Sequence, residues 1–451
     1  MKRRDRARAE KRVRRRGGGA QKSGALRGGV GLAAAASLAR SVAGVPPSVL
    51  RRGGIAAAIG IAAHRSPGRA VIVRGLDTMT GRELEAAVAA TADALADRWA
   101  PGTRVGVRGD GGIEFLVVLA AAGLAGVEAV AIGPRSGPVE GLETVDAWEM
   151  VRRGGFDTRR RRYSTTGAIH LLSTGTTGAP TETRRGRIGV RGMLQLADAA
   201  RRLRIPQGPM LVLAPPDHGH GLSMVLAGLV GGHPVVLASG MRPAEQAELA
   251  ARHSVSTITG VPAQLGRLVE DDDSVLEGVR LVVSGSSKLP AALKTRLASR
   301  GARVLDCYGS TETGTVAIDG RPLAGVTIEV DGDRRILISS PLGGRRVAPG
   351  DVGHLEGRRL VVDGRAGDVV DSGGELIAPE GVARELRAVP GVIAARVWSE
   401  PDDLLGSRLC AEVRVSDAAI DAQVLTRELA ARAGRAAVPR ELRVTLADQE
   451  I

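Results

Sequence analysis

The order of its apolar segments constrains this 451-residue chain more than any other feature of the sequence. From about residue 66, short β-type runs such as Ala70–Val73, Arg104–Arg108 and Glu128–Ile132 alternate with longer segments of helical periodicity. Thr80 and Glu83 match a capping box at the start of one such helix. Strands that alternate with helices build mostly parallel sheets with helices on both faces. The sequence therefore predicts an α/β fold.

The alternation changes character after Gly309, where short strands and tight turns indicate a small β subdomain with a hairpin at Asp331-Gly332. From about Val369 the pattern predicts a compact α+β unit. We therefore divide the chain into a basic, flexible tail over residues 1–43, a large domain over 44–364, a hinge over 365–368 and a small C-terminal domain over 369–451.

Residues 1–27 hold most of the chain's excess positive charge. They carry 12 basic and two acidic side chains, a net +10 out of the chain's +14. The remainder is nearly balanced, which excludes a nucleic-acid-binding surface along the whole chain. A solvated tail is expected, and a salt-sensitive contact with anionic lipid or nucleic acid stays open. The Ala/Gly-rich segment that follows is a poor match to a secretory signal.

Cysteine count and hydropathy indicate the compartment. Cys307 and Cys410 are too few for a disulfide framework or a four-cysteine zinc site. The most apolar stretches, 28–39 and 54–63, are shorter than the roughly 20 residues that span a bilayer. We expect a cytoplasmic protein, with a peripheral contact at a membrane surface as the alternative.

A loop of hydroxyls and glycines follows one predicted strand, with the sequence STGTTGAP from Ser173 to Pro180. Glycines allow backbone N–H groups to approach phosphate oxygens, and Ser and Thr hydroxyls add neutral donors. The Gly-Lys-Ser/Thr ending of a Walker A loop is absent. The loop therefore predicts a phosphate site of another kind, or else a simple mobile loop.

A second candidate, YGSTETG, begins at Tyr308 directly after a predicted strand. Its ring, hydroxyls and the Glu312 carboxylate could stack a base, bind a phosphate and hold a divalent cation. Downstream, Asp351 and Arg365 place an acid and a base in turns. Taken singly, these turns could also be ordinary surface.

In order along the chain, these segments resemble the adenylate-forming superfamily of acyl-CoA synthetases, luciferases and nonribosomal adenylation domains. The resemblance spans roughly residues 57–446, and its further landmarks are PPDHGHGL, SGSSKLP and DSGGELIAPEGV. It implies an AMP-binding adenylation domain at 44–364 and a mobile C-terminal domain. It also implies ATP, Mg²⁺ and CoA as cofactors, with a carboxylic acid as the small-molecule partner.

The resemblance implies a role for each matching residue. Tyr308 would stack on adenine, and Asp351 and Arg365 would bind the ribose. Thr311 would contact the α-phosphate, and Glu312 would hold Mg²⁺. Charge that develops on the α-phosphate makes a cation and hydroxyl donors the expected catalytic groups.

The remaining implied residues surround these. Thr174 would act as a catalytic residue in the phosphate loop, and His218 would lie beside the acyl pocket. The other implied nucleotide-binding residues are Ser173, Gly175, Thr176, Thr177, Gly178, Gly285, Ser286 and Gly309.

Two departures from the family pattern bear on activity. The phosphate loop of relatives ends Pro-Lys-Gly, but here Thr181 and Glu182 follow Pro180, and a nearby carboxylate is expected to weaken attraction for triphosphate. Relatives also place a catalytic lysine in a Gly-Lys turn after the last strand. This sequence has no lysine after Lys294 and ends at Ile451, so we expect a C-terminal domain truncated before that lysine.

The leading hypothesis is an AMP-forming acyl-CoA synthetase, an acid–thiol ligase for a fatty or other apolar carboxylic acid. The rival hypothesis is a non-catalytic relative that binds nucleotide, acyl-adenylate or a protein partner. Asp217, His218 and His220 could suggest metal ligands, but pocket lining is favoured over a zinc site.

Overall fold

Two sheets of mainly parallel strands form the centre of the structure, a computed structural model. It describes residues 24–29, 35–36, 39, 43–134, 136, 139, 141–154, 167–174, 180–185, 188–270, 272–365, 370–372, 375–402 and 404–446. Its strands are β1 Gly24–Arg27, β2 Ala70–Arg74, β3 Asp77–Thr80, β4 Arg104–Arg108, β5 Glu128–Ile132, β6 Thr144–Asp146, β7 Ile169–Thr174, β8 Pro180–Arg185, β9 Met210–Val212, β10 Val235–Leu237, β11 Thr257–Gly260, β12 Leu281–Gly285, β13 Arg303–Ser310, β14 Gly314–Ile318, β15 Arg321–Pro322, β16 Thr327–Val330, β17 Ile336–Ser339, β18 Asp351–Glu356, β19 Arg359–Arg365, β20 Val370–Ser372, β21 Glu375–Ile377, β22 Val392–Asp402, β23 Gly406–Val415 and β24 Glu441–Leu446.

Helices cover these sheets and the C-terminal unit. They are α1 Pro47–Leu50, α2 Gly54–Arg65, α3 Gly81–Arg98, α4 Ile113–Ala125, α5 Ala147–Gly154, α6 Val190–Leu203, α7 Gly219–Gly231, α8 Pro243–Arg252, α9 Pro262–Leu268, α10 Ala291–Leu297, α11 Pro379–Arg387 and α12 Ala422–Ala433. Among the described helices, none is both long and apolar enough to cross a membrane.

The larger sheet has the strand order β15-β14-β13-β12-β11-β9-β10-β2-β3. Its six central strands, from β13 to β2, run parallel, and antiparallel strands flank them on both sides. The smaller sheet has the order β6-β4-β5-β7-β8, in which β8 alone is antiparallel among the paired strands. The predicted α/β fold with mostly parallel sheets is confirmed.

Continuous apolar runs explain why these strands are buried. The β9 and β10 residues are buried on both faces, as expected where helices cover a parallel sheet. Helix α4 is apolar on all sides, and 11 of its 13 residues are buried. A helix of that composition cannot lie at the surface, and it packs in the main core.

The capping box predicted at Thr80 is present. The Thr80 side chain accepts a hydrogen bond from the Glu83 N–H, and Glu83 Oε2 accepts one from the Thr80 N–H at 2.8 Å. These hydrogen bonds hold the pKa of Glu83 below its usual value. Helix α3 then runs to Arg98, where the sequence places its end.

The N-terminal segment differs from the expectation of a flexible tail over residues 1–43. Residues Gly24–Arg27 form β1, which pairs antiparallel with β16 of the small β subdomain. Gly28 continues this contact, because its N–H donates to the Val326 carbonyl at 2.8 Å. The open edge of β16 offers unpaired backbone groups, which explains why a nearby segment adds to it. Residues 1–23 lie outside the described part of the chain.

The small β subdomain and the C-terminal unit follow the large sheets along the chain. The hairpin around Asp331 joins β16 to β17, and β18 pairs with β19. In the C-terminal unit, β22, β23 and β24 form one sheet with its own apolar core, to which α11 and α12 contribute. Residues 366–369, which contain most of the predicted hinge, lie outside the described residues.

Candidate active site

A cleft of about 1730 Å³ brings together seven of the sequence-predicted residues, which are His218, Ser286, Tyr308, Gly309, Thr311, Glu312 and Asp351. It lies beside the carboxyl ends of the parallel strands, where β12 and β13 deliver Ser286 and Tyr308. Ligand sites in open α/β sheets form at this edge because loops from several strands converge there. The C-terminal unit contributes Trp398 and residues 404–407 to the same cleft.

Tyr308 and Asp351, 43 residues apart in sequence, meet in this cleft. The Tyr308 hydroxyl donates to Asp351 Oδ2 at 2.7 Å. The ring is positioned by the end of β13, where the pairing with β14 is irregular between Tyr308 and Gly309. A Cβ on Gly309 would lie 2.1 Å from the Gly314 carbonyl oxygen, so this close approach of the two strands requires glycine.

Thr311 and Glu312 line the cleft in the turn that joins β13 to β14. Ser310 and Thr313 fix this turn, since the Ser310 N–H donates to Thr313 Oγ1 at 3.0 Å. Ser340 holds it from the other side, because its hydroxyl donates to the Thr313 carbonyl at 2.9 Å. The two site side chains therefore project from a braced loop.

Asp351 and Arg365 are direct partners in the β18–β19 pair. The 14-residue separation in sequence is closed by this antiparallel hairpin. The structure describes only the backbone of Arg365, so the position of its guanidinium group is outside what is described.

The STGTTGAP segment connects two antiparallel strands. Ser173 and Thr174 end β7, and they pair with Thr181 and Pro180 of β8. Of the predicted phosphate-loop residues, Gly175, Thr176, Thr177 and Gly178 lie outside the described residues.

Glu182 has close partners in the fold. Its carboxylate accepts from the Arg104 guanidinium on one oxygen, and the other oxygen lies 2.5 Å from His170 Nδ1. An ion pair of this kind neutralises part of the carboxylate's field, so the expected weakening of triphosphate attraction should be smaller than for an isolated carboxylate. The effect of Glu182 on triphosphate stays a prediction.

His218 is the residue that precedes α7, and it reaches the C-terminal unit. Its Nε2 atom lies 3.3 Å from Glu375 Oε1 and 3.8 Å from Asp217 Oδ2. His220, two residues further along the chain, is buried, and its Nε2 atom lies 3.0 Å from Thr259 Oγ1. The two histidines therefore have separate partners and do not form a metal cluster within the described part of the chain.

Gly285 ends β12, and Ser286 follows it and lines the cleft. A Cβ on Gly285 would lie 2.4 Å from His220 Nδ1, so a side chain there would displace the histidine. Ser286 has a left-handed backbone with a φ of 70°. Non-glycine residues rarely adopt this conformation, and they do so often at functional sites.

An apolar groove extends from this cleft between α6 and α7. On α7 the lining residues are Gly219, His220, Leu222, Ser223, Met224, Leu226, Ala227, Val230 and Gly231. On α6 they are Gln195, Leu196, Ala199, Ala200 and Leu203. Both helices begin near the Thr311 turn, since Cβ atoms built on Gly192 and Gly219 approach Leu342 and Thr311 respectively.

The groove is long and mostly apolar. Eleven residues of α7 at about 1.5 Å each give a length of about 16 Å from Gly219 to Val230. Arg204 and His233 line its far end. This shape and lining fit an apolar ligand that starts beside Thr311 and extends along the two helices.

Two residues at the site were missed by sequence reasoning. Arg185 lines the cleft at the end of β8, and it donates to the Leu342 carbonyl at 2.7 Å and to the Thr311 carbonyl. Its position in the strand that follows the STGTTGAP segment is the signal that could have found it. Glu375 lies within a recognised motif, but no local signal indicates its contact with His218.

The part of the chain that supplies most cleft residues matches a known protein family. The family described as AMP-binding enzyme matches residues 168–360, which include the β7–β8 hairpin, the Tyr308 segment and Asp351. A probable 2-succinylbenzoate–CoA ligase of Mycobacterium tuberculosis is 29% identical over 315 residues, 63% of this chain and 78% of that protein. A feruloyl-CoA synthase of an Amycolatopsis species is 30% identical over 281 residues, 52% of this chain and 57% of that protein.

Solved structures agree on the fold. An o-succinylbenzoate CoA synthetase double mutant from Bacillus subtilis, bound to a product analogue, has a TM-score of 0.74 at 21% identity. The match covers 87% of this chain and 95% of that one, so it includes the C-terminal unit. Residues 168–360 therefore match the AMP-binding enzyme family, the sequence relatives named above are acid–CoA ligases, and the fold is that of adenylate-forming enzymes.

Proposed function

We propose that this protein activates an apolar carboxylic acid with ATP to an acyl-adenylate and transfers the acyl group to CoA. The observation that carries the proposal is the convergence of Tyr308, Asp351, Thr311 and Glu312 on one cleft that opens into an apolar groove. A polar end for nucleotide and an apolar end for acid is the arrangement that this chemistry requires.

The polar end of the cleft carries the residues that we assign to nucleotide binding. Tyr308 offers a ring face for adenine, and Asp351 offers a carboxylate acceptor for ribose hydroxyls. Gly285 and Ser286 bring backbone close to the same region, and Arg365 is assigned to the ribose as the register partner of Asp351.

The phosphates belong between the β7–β8 hairpin and the Thr311 turn. Thr174 and Thr311 supply hydroxyl donors, with loop residues Gly175 to Gly178 and Gly309 around them. Glu312 provides the hard carboxylate oxygen that Mg²⁺ prefers, and the cation would neutralise phosphate charge there. Attack of the acid's carboxylate oxygen on the α-phosphorus forms the acyl–phosphate bond and releases pyrophosphate. Donors placed where negative charge grows lower that barrier.

The acid belongs in the groove between α6 and α7, with its carboxylate beside Thr311 and His218 at the mouth. Its length and apolar lining favour an extended apolar chain or an aromatic acid over a small polar one. The named relatives act on 2-succinylbenzoate and feruloyl substrates, which keeps aromatic acids in the candidate set beside fatty acids.

The C-terminal unit belongs to the second step. Trp398 and residues 404–407 line the cleft, and Glu375 contacts His218, so this unit already faces the reaction centre. In that step the CoA thiolate attacks the acyl carbon, the thioester forms and AMP leaves.

The rival candidate is a relative that binds nucleotide or acyl-adenylate without turnover. The observation that favours it is the absence of lysine from the sequence after Lys294, since an adenylating lysine cannot then come from residues 295–451 of this sequence. Binding can survive where a transition-state contact is missing.

The test is product formation with defined variants. Purified protein is incubated with ATP, Mg²⁺ and a panel of fatty and aromatic acids, with and without CoA, and acyl-AMP and acyl-CoA are measured by mass spectrometry. Product that is lost in Glu312→Ala supports the ligase. No product from any acid, with ATP binding retained, supports the rival.

A groove variant tests the assignment of the acid. Ala227→Phe places a ring in the groove, so activity with long acids should fall at least about tenfold while short acids are little affected. An equal loss for every acid would contradict the placement of the acid between α6 and α7.

A further inference from the structure

Arg185 is placed differently from the other arginine of its strand. Both Arg184 and Arg185 line the cleft. Arg184 pairs with Glu128 at 2.8 Å, so a carboxylate offsets its charge. Arg185 is instead directed to backbone carbonyls beside the Thr311 turn.

Backbone carbonyls hold the Arg185 guanidinium group. One nitrogen donates to the Leu342 carbonyl at 2.7 Å, and another donates to the Thr311 carbonyl. The planar fork of arginine is suited to such a two-point hold, which removes most of its freedom to move. The cation therefore has a fixed position directly behind the Thr311 turn.

The charge of Arg185 is not neutralised by these contacts. Carbonyl oxygens are neutral acceptors, and burial lowers the pKa of Arg185 while the charge of Glu312 raises it. Glu312 is thus the carboxylate whose field acts on this arginine. A divalent cation on Glu312 would offset that field and leave the arginine charge to act on other anions in the cleft.

Arg185 brings positive charge to a cleft whose phosphate loop lacks the usual lysine. Relatives end that loop with Pro-Lys-Gly, and this chain has threonine at position 181. Arg185 pairs with Ile169 at the end of β8 that is away from the loop, so its charge enters the cleft at the Thr311 turn.

We propose that Arg185 is a positioning residue that supplies the fixed positive charge for the nucleotide's phosphates and holds the Thr311–Glu312 turn in place. The inference rests on the proposed function, because it assumes that ATP binds in this cleft. It predicts that Arg185 discriminates between ligands by their phosphate charge.

The experiment measures binding without turnover. ATP with Mg²⁺, and adenosine separately, are titrated calorimetrically into the wild type, Arg185→Gln, Arg185→Lys and the control Arg184→Gln, with no acid present. Arg185→Gln should weaken ATP binding about 10-fold to 100-fold, as for a lost charged hydrogen bond. Adenosine binding should change less than about threefold, and Arg184→Gln should leave both ligands unaffected.

Arg185→Lys separates charge from shape. Lysine keeps the charge but cannot make the two-point contact, so it should recover part of the ATP affinity that glutamine loses. Equal weakening of ATP and adenosine, or no recovery with lysine, would assign Arg185 a purely structural role and overturn the inference.

The remaining outcomes are also decisive. Unchanged ATP affinity in Arg185→Gln overturns this inference and leaves the proposed function standing, whereas a wild type that does not bind ATP overturns both. If Arg185→Gln does not fold by circular dichroism, the comparison of Arg185→Lys with the wild type decides. Lysine should then weaken ATP binding more than adenosine binding, and equal effects reject the inference.

Discussion

His218 Nε2 and Glu375 Oε1 lie 3.3 Å apart, which joins the start of α7 in the large domain to β21 near the C-terminal unit. The contact places a residue of the DSGGELIAPEGV motif at the mouth of the acid groove. It couples the position of the C-terminal unit to the site where the acyl group would be held.

Removal of this contact should affect one step of the proposed reaction. We expect Glu375→Ala to slow acyl transfer to CoA at least about tenfold, because the variant loses the contact between the Glu375 carboxylate and His218 Nε2 that joins the C-terminal unit to the acid site. Acyl-adenylate formation should stay within about twofold, since this contact is made to His218 at the mouth of the acid groove. Single-turnover assays with preformed acyl-adenylate separate the two steps, and Glu428→Ala on α12 is the control. Equal slowing of both steps would reject a step-specific role.

The hydrogen bond between Tyr308 and Asp351 should set ATP affinity. Asp351→Ala removes the acceptor and the proposed ribose contact, so KM for ATP should rise about 10-fold to 100-fold. Tyr308→Phe keeps the ring but loses the hydroxyl, so a rise of only about 3-fold to 10-fold is expected. Steady-state kinetics over a range of ATP concentrations measures both. A larger effect from Tyr308→Phe than from Asp351→Ala would contradict the assigned roles.

Gly28 should be essential for docking of the N-terminal strand. A Cβ at Gly28 would lie 1.7 Å from the Leu323 carbonyl oxygen, whereas one at Gly29 would meet nothing within 4 Å. Gly28→Ala should therefore lower the free energy of unfolding by about 1–3 kcal/mol, as for overpacking, while Gly29→Ala stays near wild type. Urea unfolding of the two variants checks this, and identical midpoints would argue against a docked β1.

Protonation of His220 should destabilise the fold at acid pH. Burial lowers the pKa of His220 to about 4, whereas the unfolded value is near 6.5. The unfolded chain therefore binds the proton first, so the stability is complete above about pH 6.5 and is lost as the pH falls toward 4. The loss amounts to about 3 kcal/mol. Urea unfolding at several pH values should show this slope in the wild type and a smaller one in His220→Asn.

Protonation of Asp306 should change the stability of the fold in the opposite direction to protonation of His220. Burial, followed by the charge of Asp319, raises the pKa of Asp306 to about 6. Its contribution is complete below the unfolded value near 3.9 and is lost as the pH rises through about 6. Asp306→Asn should therefore steepen the acid loss of stability that His220→Asn reduces. Parallel slopes in the two variants would show that neither group controls this pH range.

The sequence predicted most of the large domain because its strands and helices carry strong local signals. Strand Glu128–Ile132 and the capping box at Thr80 lie where the pattern places them. The antiparallel edge strands β3 and β8 and helix α2 were not predicted. Edge strands have one open side and weak alternation, and α2 is an Ala/Gly-rich run without a capping side chain.

The candidate site also has features that the sequence predicted and features that only the fold revealed. The motifs at Ser173 and Tyr308 predicted which residues carry chemistry, because glycines, hydroxyls and carboxylates in short turns are local signals. The contact of Tyr308 with Asp351 and the two-carbonyl hold on Arg185 depend on separate elements that meet only after folding. The pairing of Glu182 with Arg104, 78 residues away, likewise depends on the fold and has no local signal in the sequence.

The sequence by itself determined the α/β class, the order of the elements and the motifs that mark an adenylate-forming chain, because periodicity and turn chemistry act between near neighbours. Tertiary structure alone decided that β1 joins the β subdomain, that Arg185 contacts the Thr311 turn, and that α6 and α7 leave an apolar groove beside Thr311. These features arise from side chains distant in sequence, whose pairing is fixed by packing and hydrogen-bond geometry in the folded chain.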